Sequence, residues 1–267
     1  MKTIYFILLF IIAGLLQGQT IDKKHLNVYY RLSYQPDSTN THRLEEDFYL
    51  NIDEETSAFL SVNKLKGDLY IAQKSQNLTE DSFASALAGV PKTRFKFLII
   101  KKEDELNFYD EILNYQFHYK DNIPTKWKLY NDTKTLHGYT CKKAELNYGG
   151  RIWTAWYTED IPIPEGPYKF KNLPGLIIEV SDSQDFFAFE LIEIKKGHQN
   201  FVSTYYPDKI LDKFKKVSKE EYFKAMRNIN DNYIKEMEMA GMFLDESGKE
   251  NVLKNRKKRN NALEKSK

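Results

Sequence analysis

The sequence predicts an α+β protein built on one curved antiparallel β-sheet, an open half-barrel with covering helices over its concave face and a C-terminal helix. Three observations predict it. Short runs of alternating apolar residues recur between turn residues along most of the chain, the pattern of a meander that curls into an open barrel or sandwich. Aromatic residues are abundant, 18 Tyr and 17 Phe, and fall mostly inside those runs, where strands favour them. Several runs are apolar on both faces and need cover, and residues 218–240 carry a helical pattern able to supply it.

Taken in order, LNVYYRLSY (26–34) alternates as a strand, and DFYLNI (47–52) and SAFLSV (57–62) form a hairpin around the turn DEET. KGDLYIAQ (66–73) continues as a further strand, and Asn77 to Ala88 reads as a short helix, with Asn77 and Glu80 placed as a capping box. Then come RFKFLIIKK, LNFYDEI, LNYQFHYK, KWKLYN, LHGYTCKKAELN, RIWTAWYT, LIIEVSD and FFAFELIEIKK, each a strand, with Tyr148-Gly149-Gly150-Arg151 and Ser181-Asp182-Ser183-Gln184 as the clearest hairpin tips. In the Trp strand, Trp153, Ala155 and Tyr157 share one face and Ile152, Thr154 and Trp156 the other. Ser218 and Glu221 form a capping box ahead of Phe223, Met226, Tyr233, Met237 and Ala240, which recur at helical spacing.

At the front, Met1-Lys2 precedes an apolar run from Ile4 to Leu16 that is too short for the ~20 residues of a membrane span and is followed by polar residues. Residues 1–19 therefore read as a cleaved secretory signal peptide, with no cysteine behind it to carry a lipid anchor. The expected location is the periplasm. No Pro/Ser/Gly-rich linker divides the rest, so residues 20–245 read as one domain and residues 246–267 as a basic, disordered tail. Forty basic and 38 acidic residues leave a charge of +2, without the global field that draws nucleic acid. The tail, with its cluster from Lys254 to Lys267, is the one segment suited to an anionic membrane surface or an envelope protein.

The segment Gly150 to Val180 ends in NLPGLIIEV, where Leu173-Pro174-Gly175-Leu176-Ile177 spells all but the first residue of the GLPGLI signature. Before it, HGYTCKKAELNYGGRIWTAWYTEDIPIPEGPYKF follows the order of strand, turn, Trp-Tyr-Thr strand and Ile-Pro-x-x-x-Gly-Pro block found in the same family. Over residues 126–196 the chain thus resembles the GLPGLI family of exported proteins of Gram-negative Bacteroidota. The resemblance implies export and a fold, and supplies no reaction. Asn172 stands where the family has glycine; if that position takes a positive φ, asparagine is among the residues that tolerate it. The overall pattern is also similar to the half-barrel of periplasmic lipoprotein carriers.

No catalytic signature is readable: there is no Gly-x-Ser-x-Gly elbow, no His-Glu-x-x-His, no phosphate-binding glycine loop and no protease-like Cys-His pair. The chain therefore reads as a non-enzyme that needs no cofactor. His137 and Cys141, four apart in an expected strand, and His118 on a neighbouring strand are weak metal candidates against the ordinary role of a lone cysteine as a small apolar residue. Glu159, Asp160 and Glu165 surround an Ile-Pro-Ile-Pro turn, where solvated carboxylates are common. Pro162, Pro164 and Pro167 stiffen this block, and Gly166 and Gly175 read as positions that need glycine's backbone freedom. The expected function is non-catalytic binding of an apolar or amphipathic ligand such as a lipid, acyl chain or peptide. Trp153, Trp156, Tyr157, Leu173, Leu176 and Met237 are the candidate ligand-binding residues. The alternative is an envelope accessory protein that docks on a partner such as an outer-membrane transporter, and less favoured still is a metal-binding protein or a hydrolase, which would need Glu159, Glu165 and His137 to converge.

Overall fold

The computed structural model of the chain describes residues 25–74, 88–197 and 200–265. The signal peptide expected over residues 1–19 lies outside them, as does the helix expected from Asn77, save its last residue Ala88. Strands β1 (Leu26–Tyr34), β2 (Leu44–Ile52), β3 (Thr56–Ser61), β4 (Leu98–Lys102), β5 (Glu105–Ile112) and β6 (Tyr115–Asn122) run as one meander. A second meander, β7 (Lys128–Leu136), β8 (Tyr139–Tyr148), β9 (Arg151–Thr158), β10 (Leu176–Asp182) and β11 (Phe187–Lys196), returns to pair β11 with the free side of β1. The result is a single open sheet of 12 strands in the order β12-β6-β5-β4-β3-β2-β1-β11-β10-β9-β8-β7. All neighbours are antiparallel except the two-residue β12 (Lys215–Lys216), which lies parallel to β6. Register shifts at Tyr29/Tyr30, Ile177/Glu179 and Leu129/Thr133 bend the strands they interrupt.

Turn chemistry explains the pairing. Gly149 and Gly150 have φ of 61° and 72°, as a two-residue hairpin of the favoured twist demands. His137 and Gly138, at φ 50° and 81°, do the same between β7 and β8. The run LHGYTCKKAELN is thus two strands and a turn rather than one strand.

Two cores lie on opposite faces of the sheet. The inner one contains Tyr30, Phe48, Phe59, Ile99, Trp153 and Phe189, with Phe48 stacked on Phe59 at 5.0 Å. The outer one contains Tyr49, Ala58, Leu60, Leu98, Ile100 and Tyr109. Strands β3 and β4 send alternate residues to each core, which is why they read as apolar on both sides. Helices cover both faces, not the concave one alone. The short α2 (Phe201–Tyr205) and α3 (Asp208–Leu211) place Phe201, Tyr206, Leu211 and Phe214 over the outer core.

The expected strand KGDLYIAQ is instead part of helix α1 (Val62–Lys74). The Ser61 hydroxyl accepts from the amides of Asn63 and Lys64 at 3.1 and 3.3 Å, and Lys64 pairs with Asp68 one turn on at 3.0 Å. These local bonds decide a run whose apolar spacing suits either structure. Residues 218–240 form two helices, α4 (Lys219–Asp231) and α5 (Tyr233–Met239), broken at Asn232. The capping box is present: Glu221 N donates to Ser218 Oγ at 3.1 Å and Ser218 N to Glu221 Oε2 at 2.7 Å. Helix α4 packs Tyr222, Phe223, Met226 and Ile229 against the inner core.

The expected disordered tail is folded over the residues described. Asp245 caps α6 (Glu246–Lys257) by accepting from Gly248 N at 2.7 Å, and residues 258–265 then return to the sheet with Leu263 and Glu264 buried. Among the described residues no helix is long and apolar enough to cross a membrane.

Candidate functional site

The block from Glu159 to Gly175 crosses the inner face and is held from below by Lys101 of β4. That side chain, fully buried, donates to the carbonyls of Gly166 and Phe170 at 2.9 and 3.3 Å and pairs with Glu165 at 2.7 Å. Glu165 also meets Lys171 at 3.1 Å, and Trp127 Nε1 donates to the Lys171 carbonyl at 2.9 Å. The two glycines serve space rather than positive φ, contrary to their sequence reading. A Cβ on Gly175 would lie 1.9 Å from the Thr158 carbonyl oxygen, and one on Gly166 would lie 2.5 Å from Ile177 Cδ1. Tyr168 and Asn172 are the residues of this block with the left-handed backbone, φ 54° and 68°, and asparagine is among the residues that tolerate it.

This loop, the inner face, α4 and residues 259–265 border an open pocket of about 560 Å³. Its wall is aromatic, with Phe97, Phe108, Tyr119, Tyr168, Phe187 and Tyr222 among its residues, and Met226 of α4 completes it. Arg94, Arg227 and Arg259 also line it. Asp110 borders it and accepts from Tyr222 Oη at 2.7 Å. Burial pushes the Asp110 carboxyl up to about 6, against the opposing effect of that hydrogen bond.

Beside the cavity sits Lys169, fully buried. Its ammonium pairs with Glu264 at 2.6 Å, donates to Tyr119 Oη at 2.8 Å and lies 3.6 Å from Asp121. Four rings surround it, Phe108, Tyr119, Tyr148 and Tyr168, with centroids 4.8 to 5.9 Å away. Lys219 at the start of α4 pairs with Glu264 as well and with Asp121 at 2.7 Å. Burial lowers the Lys169 pKa although Glu264 opposes it. Burial also works against ionised Glu264, but Lys169 and Lys219 overcome it and hold that carboxyl below its ordinary value.

The six candidate ligand-binding residues do not line the cavity. Trp153, Tyr157, Leu173 and Leu176 are core residues, and the Trp153 indole is committed to the Tyr148 carbonyl at 3.1 Å. Trp156 faces the other side of β9, under Lys134 at 4.4 Å, while its neighbour Ile152 is half exposed. Met237 is half-buried on α5.

The metal candidates are dispersed. His137 sits in a turn and contacts Glu190 at 3.2 Å, Cys141 is buried in β8, and His118 stacks on Tyr109 in β6 near the opposite edge of the sheet. Burial pushes the Cys141 thiol up to about 11. Glu159 pairs with exposed Lys142 while Glu165 is buried under the loop, so these carboxylates do not converge.

Sequence reading missed Tyr168 and Lys169, seen only as part of the signature block, and residues 258–265. The one available signal was Ala262-Leu263, an apolar pair inside an otherwise polar stretch.

A family model described as a protein of unknown function, Porph_ging, matches residues 148–179. A search of curated protein sequences finds no match. Among solved structures the chain is similar to PNGF-II in one crystal form with a TM-score of 0.49 and 13% identity, over 75% of this chain and 32% of that one. A second crystal form of PNGF-II gives 0.48 and 14%, over 73% and 31%. The chain therefore spans about a third of those relatives. A LolA superfamily protein, NE2245 from Nitrosomonas europaea, gives a TM-score of 0.28 and 6% identity over 66% of this chain and 88% of that chain.

Proposed function

We propose that this is an exported, periplasmic, non-catalytic binding protein whose ligand is apolar or amphipathic and sits in the inner cavity. One observation carries the reading: the pocket of about 560 Å³, a size within the ~300–1,000 Å³ usual for small-molecule sites and lined by aromatic rings together with charged and amide side chains. Burial of the ligand's apolar surface would supply most of its affinity, at ~25 cal/mol per Å². Native mass spectrometry of protein taken gently from the periplasm tests it. The expected result is an added mass that solvent extraction removes and that narrowing the cavity by Met226→Trp reduces. Retention of the same mass by a folded Met226→Trp protein would place the ligand elsewhere.

A second reading, docking on an envelope partner, is favoured by the turn after α5. Met239 at the end of α5 and Met242, Phe243 and Leu244 in the turn itself stand 68, 40, 78 and 37% exposed, ahead of the first turn of α6. Association with the membrane fraction should then fall in a Met239→Ser/Phe243→Ser variant, and equal association would remove this reading.

A further inference from the structure

Lys169 is an ammonium that the fold has placed in an apolar cage, and such a group demands an anion. The surrounding rings attract the cation without neutralising it. Asp121 and Glu264 are both shared with Lys219, and of the two Glu264 is the nearer to Lys169, at 2.6 Å against 3.6 Å, from 95 residues away in sequence.

That carboxylate arrives on a segment tied to the Gln35–Ser38 loop, to Arg151 and to the Gly149 carbonyl by hydrogen bonds of exposed or part-buried groups. Asn261 N donates to the Pro36 carbonyl at 3.1 Å and Lys265 N to the Gly149 carbonyl at 2.9 Å, while Arg151 reaches the Ala262 carbonyl. The glycine hairpin is shaped to receive it, since a Cβ on Gly149 would lie 2.8 Å from Glu264 Cγ. The helix that leads into the segment, α6, has no buried residue and meets the preceding helices through Lys249 and Arg256. Tyr119, Tyr168 and Glu264 all border the cavity, so the carboxylate lies at the end of the space that a ligand would fill. Arg94, Arg227 and Arg259 line the same cavity, and none of them forms an ion pair among the described residues. Their field favours an anionic ligand over a neutral one.

We propose that the Lys169 cage is the head-group subsite of the cavity, that it takes the carboxylate of a single-chain amphiphile, and that Glu264 occupies it until such a ligand arrives. The proposal rests on the cavity reading above. Exchange of one carboxylate for another keeps Lys169 and Lys219 paired throughout, so the buried charge is never left alone. The ligand's chain lies among the rings of the inner face, and residues 258–265 move aside as its head enters.

Tetradecanoate and its uncharged methyl ester are the probes, with titration calorimetry on the full mature chain. Glu264→Gln should bind tetradecanoate about tenfold more tightly than the unaltered protein, the scale of one hydrogen bond to a charged group, with the ester unchanged. Lys169→Met should abolish the preference for the acid over the ester. In the unaltered chain, which needs no variant to fold, tetradecanoate should speed amide exchange at Asn261 and Lys265 and the ester should not. If acid and ester both bind, the acid no more tightly to Glu264→Gln and with exchange unchanged, the head-group subsite is refuted while the cavity reading survives. If neither probe binds either protein, the cavity reading itself fails.

Discussion

Replacing Lys101 by methionine tests what holds the Glu159–Gly175 loop in place. The stem of the side chain is matched in length, so packing is largely retained and the loss is that of the ammonium. Three contacts disappear: the pair with Glu165 at 2.7 Å and donations to the Gly166 and Phe170 carbonyls at 2.9 and 3.3 Å. Breaking a buried pair by removing one partner costs ~3–5 kcal/mol. Lys171 still holds the other Glu165 oxygen at 3.1 Å, which places the expected loss near the lower end, about 3 kcal/mol. Urea unfolding reads it as a lower midpoint with an unchanged slope. Adding Glu165→Gln should recover about 1–2 kcal/mol, because the group left behind is then neutral. Trp127, bonded to the Lys171 carbonyl, should report the loosened loop as a red-shifted emission. A loss below about 1 kcal/mol, or no recovery in the double variant, would mean that the loop is held by its prolines and apolar contacts instead.

Three further outcomes follow from the same geometry. Gly175→Ala should prevent accumulation of folded protein or cost more than ~3 kcal/mol, because the added carbon would sit 1.9 Å from the Thr158 carbonyl oxygen, and a urea midpoint close to the parent's would show that the strand end can shift. Asp110, raised from 3.8 to about 6, holds its proton more tightly folded than unfolded. Its contribution to stability is therefore full below about pH 4 and is lost as pH rises through 6, so an Asp110→Asn variant should gain on the parent across that interval, and parallel stability curves would contradict the assignment. Cys141, buried with its thiol raised to about 11, should resist iodoacetamide at neutral pH until denaturant is added; prompt labelling of native protein would place it at the surface.

The sheet was legible because its signals are local. Alternation in β1 and β9 and the Gly149-Gly150 tip each specify their element without help from distant residues. Helix α1 was not, because a run such as Leu69-Tyr70-Ile71-Ala72 fits either period, and the deciding bonds come from Ser61 and Lys64 at its start. The candidate ligand-binding residues lie outside the cavity for a different reason. The most conspicuous aromatics, Trp153 and Tyr157, are spent on the core, and the cavity wall is assembled from β1, β5, β6, β11, residues 94–97, Tyr168, α4 and residues 259–265, which only the three-dimensional path brings together. Charge composition misread that last segment, since Glu264 looks solvated until Lys169 and Gly149 are seen beneath it.

The two ends of the sheet have a consequence for how copies of this protein meet. An open sheet offers each outer strand as a template on which another chain can add, the first step towards fibres. At one end β12 occupies the bonding positions beside Phe117 and His118 and presents two exposed lysines to anything that approaches. At the other, β7 is shifted in register between Leu129 and Thr133 and carries Lys128, Asp132 and Lys134 along its length. Lateral growth is blocked by a bound decoy strand on one flank and by bend and charge on the other, so molecules can crowd at high concentration without stitching into a continuous sheet.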